Sequence, residues 1–359
     1  MITISLCMIV KNEEKVIGRC LDSVCDIVDE IIIVDTGSTD RTKQIVSTYT
    51  NKIFDFVWID DFAAARNFSF DQATKEYILW LDADDVIEDK EKIKLLQLKQ
   101  DLNQTVDAVS MDYHLAFDSE GNVTSSLRRY RLVKKDKSFR WVGYVHEYLP
   151  ISGNLLNSDV AVTHLPSPEE KPSERNLQIY ENMQSSGKPF TPRDLFYYAN
   201  ELMDHRFYEK AMTYYLRFLN TKNGWVEDNI RACHKLADGY HQLGLEDMNV
   251  YWTFQALSYA VPNPETCCRL GFIFLQKADY TSAAHWYEQA IADEQENKPR
   301  FFHNYAHSTW LPHLQLAVCY DRLGQHQLAN EHNEIAAQYH PNHPSILSNR
   351  DYFKRILSQ

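Results

Sequence analysis

The chain has 359 residues, is 44% hydrophobic and 24% charged, and carries a formal net charge of −13. That length is too great for one ordinary core and suits two domains of about 150–200 residues each. The acidic surface repels phosphate backbones and anionic headgroups, which argues against nucleic acid as a partner, and no uncharged apolar run reaches the roughly 18 residues needed to span a bilayer.

Met1 to Val10 is apolar but has no basic leader or small-residue cleavage site, and it runs into Lys11-Asn12-Glu13-Glu14, so it reads as a strand rather than a signal peptide. The seven cysteines form no CxxC pair, which fits a reducing cytoplasm and neither a disulfide framework nor a zinc site. Up to about Ile87, the β-branched runs Ile2 to Val10, Glu30 to Val34, Phe54 to Ile59 and Tyr77 to Leu81 alternate with amphipathic stretches. Strands separated by helices predict a mostly parallel, buried sheet, with ligands beyond the carboxyl ends of its strands. After an acidic helix near Glu88 to Gln100, the longer runs Val106 to Phe117, Ser125 to Lys135 and Arg140 to Tyr148 predict an antiparallel flap, with a turn at Ser119-Glu120-Gly121-Asn122. A last strand, Asp159 to His164, precedes Leu165 to Pro172, whose prolines mark a boundary.

Beyond Pro192 no strand signal remains and an internal repeat emerges. Ala199, Ala237, Gly271 and Ala317 fall at spacings of 38, 34 and 46 residues, and a second alanine follows 12 residues later at Ala211, Ala283 and Ala329. Paired helices approach closely only where side chains are short. With Phe207 to Ala211, Ala278 to Ala283 and Pro341, these positions resemble tetratricopeptide repeats; Asn249 breaks the alanine pattern in the second unit, and extra residues near Asn297 to Ser308 stretch the third. The expected division is 1–168, a linker at 169–192, and repeats at 193–359.

The chemistry is expected at the strand ends. In Trp80-Leu81-Asp82-Ala83-Asp84-Asp85, carboxylates two apart on an extended run point to one side and can reach one hard divalent cation. In Ile31 to Thr42 a buried strand ends in Asp35, Gly37 permits a tight turn, and Ser38 or Thr39 can cap the next helix. That turn leaves Asp35 without a structural task, and an acid there can accept a hydrogen bond from a pyrimidine N3.

Together with Cys7 to Glu14 and Phe62 to Phe68, these motifs resemble glycosyltransferase family 2 in the order in which the family carries them. The resemblance implies an α/β GT-A domain, Rossmann-like and built to bind a nucleotide-diphospho-sugar, here followed by an all-α tetratricopeptide-like domain. It implies that Val10, Asn12 and Asp35, with Glu13, line the nucleoside pocket; that Arg66 contacts the uridine or its phosphates; that Asp82, with Ala83, holds the ribose; and that Asp84 holds the metal. GT-A enzymes often complete the metal site with a late histidine, here His164; imidazole beside carboxylates suits Mn2+ over calcium, with Mg2+ the other candidate. Many family members carry a Glu-Asp pair where this chain has Arg140 to Glu147, so Glu147 is the candidate base, with His146 orienting the acceptor or a phosphate. Arg128, Arg129 and Arg131 either reach the diphosphate or form an exposed strand face.

The expected activity is inverting, metal-dependent transfer from a UDP-sugar. The architecture resembles bacterial glycosyltransferases that modify peptides, including those of the glycocin pathway, which implies a peptide or protein acceptor bound by the repeats. A polysaccharide or lipid-linked glycan is the alternative acceptor, and a repeat scaffold with a degenerate enzyme domain is the alternative from another class. A nucleotidyltransferase would share the paired acids, but no glycine-rich, basic phosphate loop is present. The oligomeric state stays open, a homodimer included.

Overall fold

The computed structural model describes residues 1–118, 121–167, 174–292 and 302–358. The chain divides into two compact units, Met1–Gly187 with Arg300–His303, and Lys188–Pro299 with Asn304–Gln359. Within 169–192 the described residues include helix α5 (Arg175–Ser185), which groups with the first unit. No helix among the described residues is long and apolar enough to cross a membrane.

The first unit is built on one sheet. Strands β1 (Ile4–Val10), β2 (Glu30–Asp35), β3 (Ile53–Asp55) and β4 (Tyr77–Trp80) are parallel, in the spatial order β3-β2-β1-β4. The sheet continues from β4 into β7 (Val123–Lys134) and then β6 (Ala108–Phe117), each antiparallel to the last, followed by β8 (Leu155–His164), parallel to β6, and the two-residue β5 (Asp85–Val86), antiparallel to β8. A short strand, β9 (Phe302–Asn304), pairs with β7, so strand structure does occur beyond Pro192, against expectation.

The runs of β1 and β2 are continuously apolar because both faces of the sheet are covered. Ile31 and Ile33 pack in one core with Leu6, Met8, Leu79 and Leu132; Ile32 faces the other, with Cys7, Ile78, Trp80 and Val133. Helices α1 (Ile17–Asp22) and α4 (Asp89–Asp101) give Ile17, Leu21 and Leu95 to the first core, and α3 (Phe62–Asp71) gives Ala63 and Phe70 to the second.

Two expected strands differ. The run from Phe54 stops pairing at Asp55, because Phe56 and Trp58 turn their rings onto Phe68 and Phe62 of α3 at centroid distances of 5.5 and 4.8 Å. Arg140 to Tyr148 is not a strand but a loop closed by the single bridge Val142–Tyr148, since Gly143 (φ 107) and His146 (φ 52) take left-handed backbone conformations incompatible with extension. Of the expected turn at Ser119-Glu120-Gly121-Asn122, the first two residues lie outside the described residues, as does most of the proline-rich segment before the repeats.

The second unit consists of antiparallel helix pairs: α6 (Pro192–Asp204) with α7 (Tyr208–Asn220), α8 (Val226–Gln242) with α9 (Glu246–Gln255), α10 (Pro264–Gln276) with α11 (Tyr280–Ala292), and α12 (Trp310–Arg322) with α13 (His326–Tyr339). Helix α14 (Pro344–Leu357) closes the series. The alanines of the repeat, Ala199, Ala211, Ala237, Ala283, Ala317 and Ala329, are all fully buried. Gly271 takes the alanine place in the third pair because a Cβ there would lie 2.8 Å from the Tyr287 ring. Each pair turns through a left-handed residue, Arg206, Gly244, Ala278 and Gly324, which repeat the 38, 34 and 46 spacings of the small residues. The irregular second pair ends in a 3-10 turn, Ala256–Ser258, and Asn249 bonds to Glu246 rather than packing.

Two features carry predictions. Glu30, 7% exposed, ties β2 to the neighbouring strand starts: it accepts from Ser5 Oγ, from Lys52 Nζ, and from Thr74 N (2.9 Å) and Oγ1 (2.8 Å). Burial pushes its carboxyl up, but the bonds from Lys52, Ser5 and Thr74 overcome this and bring it down to about 2. A depressed acid stabilises the fold above its unfolded value of 4.5 and loses that contribution as pH falls toward about 2. Glu30→Ala is expected to cost about 2–4 kcal/mol in urea unfolding at neutral pH, with the gap to the parent narrowing through that window; a pH-independent gap would remove the ionic explanation. Ala278 (φ 57) adopts at a helix turn a conformation that disfavours a Cβ. Ala278→Gly is therefore expected to raise stability by about 0.5–1 kcal/mol, and destabilisation in the same assay would refute the strain.

Candidate active site

At the end of β1 and β2 the loops are zipped together. Thr36 N and Oγ1 bond to Val10 O (2.9 and 3.1 Å), and Gly37, with φ 105, turns the chain so that Gly37 N and Ser38 N both donate to Asp35 Oδ1 at 2.8 Å. Asn12 N donates to Ser38 Oγ (3.0 Å), Thr39 N to Asn12 Oδ1 (2.8 Å) and Glu13 N to Thr42 Oγ1 (2.7 Å). Ser38 and Thr39 thus serve the first loop and do not cap helix α2 (Thr42–Val46); Asp40 Oδ1 accepts from Thr42 N at 3.0 Å instead. Asp35, read from sequence as lacking a structural task, has one through Oδ1. Its Oδ2 is buried with no hydrogen-bond partner, at the strand end beside Val10.

At the end of β4, guanidinium groups and carboxylates interleave around Trp80. Arg66 of α3 lies 5.1 Å from the Trp80 ring and 4.9 Å from the Trp141 ring; its Nη2 meets Asp82 Oδ1 at 2.6 Å and its Nε meets Glu147 Oε1 at 2.5 Å. Arg131, fully buried, lies 4.0 Å from the Trp80 ring and pairs with Asp85 Oδ2 (2.9 Å) and Asp82 Oδ2 (3.8 Å). The expected choice for the arginines of β7 between reaching a diphosphate and lying on an exposed face is thereby overturned for two of them. Arg131 is internal, and Arg128 bonds to Asp112 (2.8 Å) and to Ser158 O (2.5 Å).

Burial pushes the Asp82 carboxyl up, but the charges of Arg66 and Arg131 overcome it and hold it well below the usual carboxylate range. Burial raises Asp85 against the opposing pull of Arg131. The period-two reading of Asp82 and Asp84 fails because the strand ends at Trp80 and the chain turns, with Asp85 N bonded to Asp82 O at 3.1 Å. Asp82, flanked by Ala83 (6% exposed), faces the arginines; the acids that meet are Asp84 and Asp85.

His164 joins those two. Strand β8 places it opposite Asp85, and its Nδ1 lies 3.4 Å from Asp84 Oδ2, 4.0 Å from Asp85 Oδ1 and 3.1 Å from Tyr113 Oη. One ligand atom from each of Asp84, Asp85 and His164 lies within 4.8 Å of the others. Asp85 Oδ1 is buried without a hydrogen-bond partner, so this two-oxygen, one-nitrogen set fits a hard or borderline divalent cation. The hydrogen bond to Asp84 raises the His164 pKa. Sequence reasoning gave no role to Asp85 or Tyr113, and it placed Arg131 on the diphosphate or an exposed face rather than inside. The adjacent Asp-Asp was a signal for the first, whereas the other two become site residues only through strand pairing.

The His146–Glu147 loop is docked on α3. Asn67 clamps Trp141 through both backbone groups (Nδ2 to O 3.0 Å, N to Oδ1 2.8 Å), and Phe62 N donates to Tyr144 O at 3.0 Å. His146 stands in the left-handed bend next to Glu147, whose Oε2 accepts no hydrogen bond among the described residues.

Residues 5–149 match the family model "Glycosyl transferase family 2". Over 232 residues the chain is 32% identical to the SPbeta prophage-derived glycosyltransferase SunS of Bacillus subtilis (strain 168), covering 61% of this chain and 53% of that protein. It is 51% identical over 85 residues to a TPR repeat-containing protein of Synechococcus elongatus, covering 24% of this chain and 21% of that one. The chain thus spans about half, or less, of the length of these curated relatives. Likeness to solved structures is remote: glucosyl-3-phosphoglycerate synthase of Mycobacterium tuberculosis aligns over 53% of this chain and 81% of that one, at 12% identity and a TM-score of 0.35. Over residues 5–149, the first unit is thus similar to glycosyl transferase family 2.

Proposed function

We propose that this chain is an inverting glycosyltransferase that uses a divalent cation, moves a sugar from a UDP-sugar, and glycosylates a peptide or protein side chain held by the helical repeats. The observation that carries the reading is the convergence of Asp84, Asp85 and His164, with Asp85 Oδ1 buried and unpartnered, at the strand ends of a family 2 domain.

Asp35 supports a pyrimidine base, since a buried carboxylate oxygen without a donor gains most from an imide N3–H. Val10, paired with Asp35 at the strand ends, and Asn12 and Glu13, on the loop zipped to Ser38 and Thr42, are assigned to the same nucleoside pocket, with Asp82 and Ala83 on the ribose side. A divalent cation held by Asp84, Asp85 and His164, Mn2+ or Mg2+, would neutralise the departing diphosphate.

Glu147 is the proposed base. The Arg66 ion pair fixes its orientation and leaves Oε2 to take the acceptor proton during in-line attack on the anomeric carbon, with His146 beside it orienting the acceptor. Stacked helix pairs offer an extended surface suited to a peptide, which supports the acceptor class. None of the seven cysteines is in a disulfide, which supports a reducing cytoplasm.

Calorimetric titration with UDP, with and without Mn2+, is expected to show metal-dependent binding that Asp84→Ala weakens by more than about tenfold. Equal metal dependence in parent and variant would make the acidic motif a turn and nothing more. Glu147→Gln should keep UDP affinity while slowing transfer by about 10²- to 10⁴-fold, the usual cost of losing a general base. Transfer at the parental rate would move the base elsewhere.

A further inference from the structure

The three arginines around Trp80 are not equivalent. Arg66 is held by Asp82 and Glu147, and Arg131 by Asp85 and Asp82. Arg129, two residues before Arg131 on β7, lies over the same two rings, and its side chain has neither a hydrogen bond nor an ion pair among the described residues. Its guanidinium rests on aromatic rings, 5.3 Å from the Tyr113 centroid and 5.9 Å from that of Trp80. The carboxylate that acts on it, Asp82, already gives one oxygen to Arg66 and the other to Arg131.

Contacts with rings contribute about 0.5–2 kcal/mol, less than the several kcal/mol that removing a cation from water costs. Burial first, then the like charge of Arg131, pulls the Arg129 pKa down, as expected for a cation short of a counter-charge. The other edge of this arrangement is the candidate metal cluster: Tyr113, whose ring carries Arg129, bonds through Oη to His164 Nδ1. A fork of N–H donors that is partly exposed, poorly compensated and one ring away from Asp84 and His164 matches the planar, bidentate recognition of phosphate oxygens.

We propose that Arg129, alone of the three β7 arginines read from sequence as reaching the diphosphate or lying on an exposed face, is the cation that meets the phosphates of the donor, and that Arg66, for which the resemblance implied contact with the uridine or its phosphates, is instead a positioning residue which orients Asp82 and Glu147. The inference rests on the nucleotide-sugar reading of the site. It changes which arginine contacts the ligand and gives a reason for a guanidinium that rests on aromatic rings one ring away from the candidate metal cluster.

The test is calorimetric titration of the full chain with uridine, with UDP at fixed Mn2+, and with inorganic pyrophosphate, on the parent, Arg129→Gln and Arg129→Lys. Arg129→Gln is expected to weaken UDP and pyrophosphate binding by about tenfold or more, as for loss of a charge-assisted hydrogen bond. Uridine affinity and the ligand-free melting temperature should not fall. Arg129→Lys should recover part of the loss, since it keeps the charge without the fork. UDP and uridine affinities falling together, or UDP affinity unchanged while transfer slows, would overturn the proposal, the latter by assigning Arg129 to the acceptor. Pyrophosphate binding that depends on Arg129 in a protein indifferent to uridine and UDP would keep the anion contact and reject the nucleotide reading. A parent that binds none of the three would reject both.

Discussion

The first unit depends on one side chain more than any other, the guanidinium of Arg66 lodged between Trp80 and Trp141 and bonded to Asp82 and Glu147. It joins helix α3, the end of strand β4 and the loop from Arg140 to Tyr148, three segments that share no backbone pairing with one another beyond Phe62 N to Tyr144 O. The ring contacts are worth about 0.5–2 kcal/mol each. Leaving either carboxylate or the guanidinium unpaired in this buried setting costs about 3–5 kcal/mol. The ionic geometry therefore decides the loop position, and the aromatic rings mainly exclude water and lower the local dielectric.

The same logic extends outward from Trp80. Arg131 is fully buried because Asp85 and Asp82 compensate it, and Asp85 tolerates complete burial because Arg131 does the same in return. The result is an acidic motif with divided duties. Asp82 is drawn inward by arginines, Asp84 stays beside His164, and Asp85 offers one oxygen to each side. A stretch of four residues thus sets the carboxylate held by two arginines, Asp82, apart from those that meet His164, by a single turn of the chain after Trp80.

The second unit follows a simpler constraint. Helix pairs approach where side chains are short, so alanines occupy the buried positions and Gly271 yields its Cβ space to Tyr287. The left-handed turn residues repeat with the alanines because each pair has the same path from first helix to second. Two of the four, Gly244 and Gly324, are the residue the conformation favours; Arg206 and Ala278 hold it against their own preference, which shows that packing of the pairs outweighs about 1 kcal/mol of local strain.

Hydrophobic patterning alone determined the parallel β1, β2 and β4, the helical pairs and their period, because burial acts on every residue of a run and leaves its mark in the local sequence. The ends of strands β1, β2 and β4 were legible for the same reason and picked out Asp35 and Asp84, while His164 came from the family resemblance. Partner choice was not legible. That Arg66 faces Glu147, that Arg131 is internal, that Asp85 rather than Asp82 joins Asp84 and His164, and that Arg140 to Tyr148 bends instead of extending all depend on segments 16 to 81 residues apart meeting in one place. Only the tertiary structure decided these points, since the energy of a buried charge is set by what lies within a few ångströms of it and not by its neighbours along the chain.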